Sequence, residues 1–103
     1  MRLDTYIAKN KITHIDLLKV DVEGHELNVF KGCGKYLDPQ FIGMIQFEYG
    51  LAAKASGVFM TTTCEFLRSR GYKVYKIYRT HLEEATLDWA ETIEYANFVA
   101  LKA

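Results

Sequence analysis

The sequence has few of the features that mark a specialised class of protein. Its 103 residues include one proline and two cysteines, and 13 basic residues balance 13 acidic ones. The balanced charge excludes an overall field that would attract nucleic acid or anionic lipid. No apolar run approaches the length of a membrane span, and no signal-peptide pattern is seen. Cys33 and Cys64 lack metal-type spacing, so we expect reduced thiols in one compact cytoplasmic domain that covers residues 1–103.

Glycine is missing where a nucleotide-binding fold would need it. The seven glycines form no Gly-x-Gly-x-Gly motif behind a strand. In dinucleotide-binding folds such a turn lets the backbone approach the phosphates of the ligand. The sequence therefore contains no phosphate or dinucleotide turn of this kind.

The most informative segment is residues 15–26, with the sequence IDLLKVDVEGHE. Its first six residues form a nearly continuous apolar run, which predicts a central strand buried on both faces, as in a parallel sheet. The segment then becomes acidic at Asp21, Glu23 and Glu26. Ligands of open α/β sheets bind beyond the carboxyl ends of the strands. We therefore expect this strand to deliver carboxylates to the rim of an active site.

The order of predicted elements is α-β-α-β-α-β-β, and residues 51–60 fit either a short helix or a mobile loop. Strands separated by helices pair in parallel through right-handed crossovers. The last two strands have no helix between them, so we expect them to run antiparallel. The fold class is thus α/β, with a mostly parallel sheet and one reversed strand near its edge. Helices are predicted at residues 1–12, from 23 or 24 to 32, and 62–70, and strands at residues 15–20, 43–48, 72–78 and 95–101.

Several segments, in this order, resemble the FkbM-type family of S-adenosylmethionine-dependent methyltransferases. The first is Leu3-Asp4-Thr5-Tyr6, which is similar to the family's Leu-Asp-x-aromatic segment. The second is residues 18–26, LKVDVEGHE, followed by Lys31-Gly32 at the end of the next helix and by residues 45–49, IQFEY. The resemblance covers roughly the first half of the chain closely and the rest only in element order.

This resemblance implies a Rossmann-like methyltransferase fold that ends in an antiparallel hairpin. It implies S-adenosylmethionine as the cofactor and O-methylation of a hydroxyl on a sugar or another small metabolite. It also implies that the chain is the C-terminal part of the domain. In the family, the cofactor loop and the acid that holds the cofactor ribose lie on earlier strands.

Methyl transfer to a hydroxyl needs positioning and a base that takes the hydroxyl proton. Asp21 is the first candidate for that base, or for orienting acceptor and cofactor; alternatively it only caps the following helix. Glu48 ends the next strand at the same sheet edge. It is either a second catalytic carboxylate or an ordinary loop acid. Glu23 is a candidate contact for cofactor and substrate, and Glu26 for substrate. Both could instead only complement the N-terminus of a helix.

Two other binding chemistries receive less support. Asp21, Glu23 and His25 stand at alternate positions, and side chains of these types can bind a divalent metal ion. A helix beginning at residue 24 would turn His25 away from Asp21, so we expect no metal. Residues 68–79 combine five basic residues with three tyrosines, a pattern seen in single-strand nucleic-acid binding. Five acids follow in residues 83–94, and neutralisation across a hairpin explains both stretches, so we expect no nucleic-acid partner.

Two alternatives to this function stay open. Another Rossmann-like transferase could share the acidic strand end. The chain could also be a non-catalytic half-fold that binds or dimerises, because half of a doubly wound sheet exposes one long edge and exposed edges tend to pair. The expected partners are a small-molecule hydroxyl acceptor, together with either a second copy of the chain or a missing N-terminal half.

Overall fold

The computed structural model describes residues 2–21, 26–49, 60–84 and 96–103. These residues form a mixed five-stranded sheet with helices. Each helix and strand predicted from the sequence corresponds to an element of the same type. The elements are α1 Leu3–Lys9, β1 Ile15–Val20, α2 Glu26–Gly32, a 3-10 turn Gly34–Tyr36, β2 Ile42–Tyr49, α3 Met60–Ser69, β3 Tyr72–Ile77, β4 Leu82–Glu84 and β5 Ala96–Lys102.

The helices differ from the prediction mainly at their ends. Helix α1 stops at Lys9, and Lys11 has a positive φ of 53°, so the helix does not reach residue 12. Helix α3 begins at Met60, which places Thr62 inside its first turn and not at the predicted N-cap. Gly71, with φ 95°, follows α3 as the predicted left-handed C-terminal residue. No helix in the described ranges is long and apolar enough to cross a membrane.

The strand order is β1-β2-β5-β3-β4. Strands β1 and β2 are parallel, whereas the other three pairings of the described sheet are antiparallel. The predicted antiparallel arrangement of the last two long strands is confirmed by the pairing of β3 with β5. The prediction of a mostly parallel sheet with its reversed strand near the edge is wrong. The reversed strand β5 fills the space between β2 and β3, which therefore do not pair.

Strand β4 was not predicted, because it has only three residues and two of them are acidic. It forms a hairpin with β3, and the register places Lys76 opposite Glu83 and Tyr75 opposite Glu84. The basic stretch thus meets Glu83 and Glu84 of the acidic stretch in a hairpin of β3 with β4, while the other three acids lie outside the described residues. Opposite charges at facing positions stabilise such a pair.

The helices pack on one face of the described sheet, where they form the core. Phe47 of β2 is central to this core, with its ring 5.6 Å from Phe98 of β5 and 5.4 Å from Phe30 of α2. Helix α3 contributes Leu67, which is fully buried. Burial of such side chains is the main stabilising contribution to a domain of this size.

Strand β1 differs from the predicted central strand. It lies at the edge of the described sheet, and Leu17 is 50% exposed while Val20 is buried. The apolar run was correctly assigned to a strand, but burial on both faces was wrong. Val20 belongs to the core on the helix-covered face, and the partly buried Ile15 and Leu18 pack against it, whereas Leu17 is exposed beside Met44, its partner in β2.

Two polar contacts connect elements around the core. The Tyr72 hydroxyl donates to the Ile42 carbonyl at 2.6 Å, and Arg70 donates to the Gly34 carbonyl at 3.2 Å. Cys33 and Cys64 form no disulfide, as predicted, and both are buried. Burial, with a smaller contribution from Asp4, raises the pKa of the Cys33 thiol to about 11. Burial, followed by the charges of Asp38 and Cys33, raises the pKa of Tyr72 above its usual range.

Candidate functional site

The carboxyl ends of β1 and β2 lie side by side. These strands are parallel, and the last residue pair between them is Val20 with Phe47. Asp21 and Glu48 are the next residues of the two strands, so both follow at the same edge of the sheet. Asp21 is exposed and Glu48 is half-buried. The fold therefore brings together two of the carboxylates that the sequence placed at an active-site rim.

The other two predicted acids are placed differently. Glu26 lies in the first turn of α2 and is only 5% exposed. Its burial favours the alternative of a residue that complements the helix N-terminus over a contact with substrate. Glu23 lies outside the described residues, as does His25, so their roles stay predictions. Among the described residues, no cluster of three or more histidine, cysteine or acidic side chains is arranged to bind a metal ion.

An open groove of about 990 Å³ runs beside β1, between the strand and helices α1 and α2. Asp21 lies at its rim, and Lys19 and Asn28 are further polar residues that line it. At one side, Arg2 forms an ion pair with Asp4 at 3.3 Å. The apolar wall consists of Leu3, Tyr6, Leu18, Val20, Val29 and Gly32.

The sequence did not reveal this groove. Its clearest local signal is Tyr6, which the helical pattern places on the same face of α1 as Leu3 and the buried Ile7, but which is 49% exposed. An aromatic residue that stays half exposed beside other apolar side chains indicates a surface that can bind something. Recognition of the groove also requires the packing of α1 and α2 against β1, which local patterns do not specify.

A second set of polar residues lies on the sheet face opposite the helices. Lys19 of β1 pairs with Gln46 of β2, and Glu48 pairs with Asn97 of β5. Gln46, Glu48 and Asn97 are half-buried. Residues two apart in a strand share a face, so all four side chains belong to the face that carries Leu17. Gln46 and Asn97 were not identified as candidates, although the alternation that exposes Glu48 also applies to Gln46.

Comparison with protein families assigns the greater part of the chain to a known family of domains. The model of the methyltransferase FkbM domain matches residues 1–74. The chain belongs to this family. The FkbM match extends from α1 into β3, so it includes the groove and the two strand ends with Asp21 and Glu48. The search of curated proteins and the search of solved structures each gave no match.

Membership in the FkbM family indicates a methyltransferase. The family was predicted from residues 3–6, 18–26 and 45–49, which all lie in the matched part, so this prediction is confirmed. The described sheet agrees at the level of a mixed α/β fold with a parallel first pair.

Proposed function

We propose that this chain is the C-terminal part, residues 1–103, of an S-adenosylmethionine-dependent methyltransferase with a Rossmann-like fold. Its reaction is O-methylation of a hydroxyl on a sugar or another small metabolite. The observation that carries this proposal is the FkbM match over residues 1–74, which covers the parallel pair β1–β2 with Asp21 and Glu48 at its carboxyl end. This is the edge where open α/β sheets bind ligands.

The described residues fit one side of such a cofactor. When bound, S-adenosylmethionine supplies a methyl group on a positively charged sulfur. The groove beside β1 offers apolar walls for a flat ring, and Asp21 at its rim offers a carboxylate to a hydroxyl or ammonium group. We assign Asp21 and Glu23 to cofactor contacts. The sequence has no Gly-x-Gly-x-Gly turn, so the backbone cradle would come from outside residues 1–103.

The acids at the sheet edge have a second task in this proposal. An acceptor hydroxyl loses its proton when it is methylated, and a carboxylate within hydrogen-bond reach can accept that proton. Asp21 and Glu48 are the candidates, because both follow the paired ends of β1 and β2. Glu23 and Glu26 are assigned to substrate contacts only as proposals. Because Glu26 is buried, a positioning role explains it more simply than a contact with substrate.

We propose that the partner of this chain is the N-terminal half of the domain, which would pair with the open edge of β1. Strand β1 has exposed Leu17 on one face and the apolar groove on the other, so the strand that completes this edge needs apolar side chains on both faces. Hydrogen exchange of the β1 amides tests this pairing. The two buried cysteines form no disulfide, which supports our proposal of a cytoplasmic location, where cysteines stay reduced.

Calorimetric titration of the purified 103-residue chain with S-adenosylhomocysteine tests the proposed function. We expect binding that Asp21→Ala weakens roughly tenfold, since a hydrogen bond to a charged group contributes about 1.5–3 kcal/mol. Asp16→Ala is the matched control, because Asp16 is an exposed acid at the other end of β1. Equal losses in both variants would contradict a contact by Asp21.

The second candidate function is a non-catalytic binding or dimerising module. The open β1 edge and the absence of a glycine-rich turn from the sequence favour it. A folded chain that does not bind S-adenosylhomocysteine but forms a stable dimer would support this alternative and refute cofactor binding by residues 1–103.

A further inference from the structure

The sheet face opposite the helices is divided into an apolar half and a polar half. At the amino ends of β1 and β2, Leu17 lies beside Met44, and these side chains are 50% and 40% exposed. Two residues further along both strands, the pair is Lys19 and Gln46. This face thus changes from apolar to polar along the strands, towards the end of β1 that precedes Asp21.

The polar half continues into β5. Gln46 pairs with Val99, and Glu48 pairs with Asn97, so Gln46 and Asn97 lie diagonally across one antiparallel pair. Diagonal neighbours on one face are about 7–8 Å apart between their α-carbons, within reach of long side chains. Two amides at this distance can bind two groups of the same small molecule.

The side-chain amides of Gln46 and Asn97 can form further hydrogen bonds. None of the hydrogen bonds or ion pairs seen among the described side chains involves Gln46, Glu48 or Asn97, although all three are half-buried. No buried side-chain nitrogen or oxygen of the described residues lacks a hydrogen-bond partner, so the polar atoms of these three residues stay accessible to water or to a ligand. Each amide offers two N–H donors and one carbonyl acceptor.

The charge of this surface restricts the ligand. Lys19 and Glu48 give this polar set one positive and one negative charge, so the set has no net charge that would favour a phosphate or another anion. Hydroxyl groups donate to carboxylates and both donate to and accept from amides. A neutral molecule with several hydroxyls satisfies the whole set.

We propose that Gln46 and Asn97 are specificity-determining residues that bind acceptor hydroxyls, so that the acceptor is a polyol with at least two neighbouring hydroxyls. This inference rests on the proposed methyltransferase function and identifies its substrate class. Gln46 and Asn97 hold hydroxyls that are not methylated, and Glu48 lies beside Asn97 to receive the proton from the one that is.

Side-chain amide signals in NMR spectra of the 15N-labelled chain test this assignment. The probes are methyl α-D-glucopyranoside, myo-inositol and glycerol, with cyclohexanol as a ligand that has one hydroxyl. We expect at least one polyol to shift the Gln46 and Asn97 signals, and cyclohexanol to bind roughly tenfold more weakly because it leaves one amide unpaired. Gln40, an exposed amide outside this face, should not shift.

Variants give an independent measurement of the same affinity. Gln46→Ala and Asn97→Ala should each weaken polyol binding about fivefold or more, whereas Gln40→Ala should leave it unchanged. Absence of shifts with all three polyols overturns the inference, as do equal shifts with cyclohexanol or equal shifts at Gln40. Binding of S-adenosylhomocysteine in the same samples separates the two proposals. If it is retained while the amides do not respond, only the polyol assignment fails.

The opposite result is also informative. If the amides respond to a polyol but S-adenosylhomocysteine does not bind, the methyltransferase proposal fails for this chain. The surface is then a polyol site without a methyl donor.

Discussion

The hydroxyl of Tyr72 connects two strands of the sheet that do not pair through their backbones. Tyr72 begins β3, and its hydroxyl donates to the carbonyl of Ile42, the first residue of β2, at 2.6 Å. These strands are not neighbours, because β5 lies between them and its last pair with β2 is at Met44. One buried side chain therefore connects β2 and β3 beyond the end of β5.

We expect Tyr72→Phe to lower the free energy of unfolding by about 1–2 kcal/mol, since it removes one partner of a buried hydrogen bond. Tyr75→Phe is the matched control, because Tyr75 is on the same strand but points to the opposite face. Urea denaturation with both variants measures the difference. If the two substitutions lower the free energy of unfolding by the same amount, the hydrogen bond to Ile42 contributes no more to stability than an ordinary hydroxyl does.

At the scale of elements, the two edges of the described sheet are built differently. Strand β4 is three residues long and carries Glu83 and Glu84, features that discourage pairing with another strand. Strand β1 is six residues long, with Leu17 exposed on one side and the groove on the other. Only the β1 edge is suited to accept a further strand.

Hydrogen exchange followed by NMR distinguishes the two partners that could pair with β1. In a dilute sample, the β1 amides on the open side should exchange at least tenfold faster than those of β2 and β5, because only the latter strands are paired on both sides. If the partner is an N-terminal half, this difference will not depend on protein concentration. Protection that grows with concentration and disappears in Leu17→Lys would identify a homodimer and contradict our proposal.

Local patterns identified the elements well, because periodicity and turn residues are properties of adjacent residues. Strand 43–48 and the helix ended by Gly71 are examples. The exposure of β1 and the insertion of β5 depend on which strands become neighbours, which no short window contains. The same division applies to the site. Asp21 and Glu48 could be placed at one edge from parallel pairing, whereas Asn97 reaches Glu48 only through the register of β5.

At the scale of the whole molecule, two buried weak acids couple stability to alkaline pH. The pKa of Cys33 is raised from 9.0 to about 11, and the pKa of Tyr72 is raised as well, chiefly by burial. Above pH 9 the unfolded chain therefore binds fewer protons than the folded one, and stability falls as pH rises. Below pH 9 both groups are protonated in both states and contribute no slope.

We expect the free energy of unfolding to decrease by an amount of order 1 kcal/mol from Cys33 between pH 9 and about 11, with a further decrease from Tyr72. Urea titrations at several pH values measure the slope. Cys33→Ala should be less stable at pH 7 because it leaves a small cavity, but its stability should fall less steeply above pH 9. A parallel pH profile for the variant would show that Cys33 is not one of the coupled groups.

The position of β5 has a consequence for the order in which the strands of this sheet assemble. Residues 96–102 are the last strand of the sequence, yet they join β2 on one side to β3 on the other. Before residues 96–102 join the sheet, we expect the chain to hold β1–β2 as a parallel pair and β3–β4 as a separate hairpin, each with an open flank next to the future position of β5. The completed sheet depends on a contact between distant parts of the sequence, which makes late folding slow and exposes those flanks to other chains. A chaperone that shields β2 and β3 would thus act on this protein only in the interval before β5 joins the sheet.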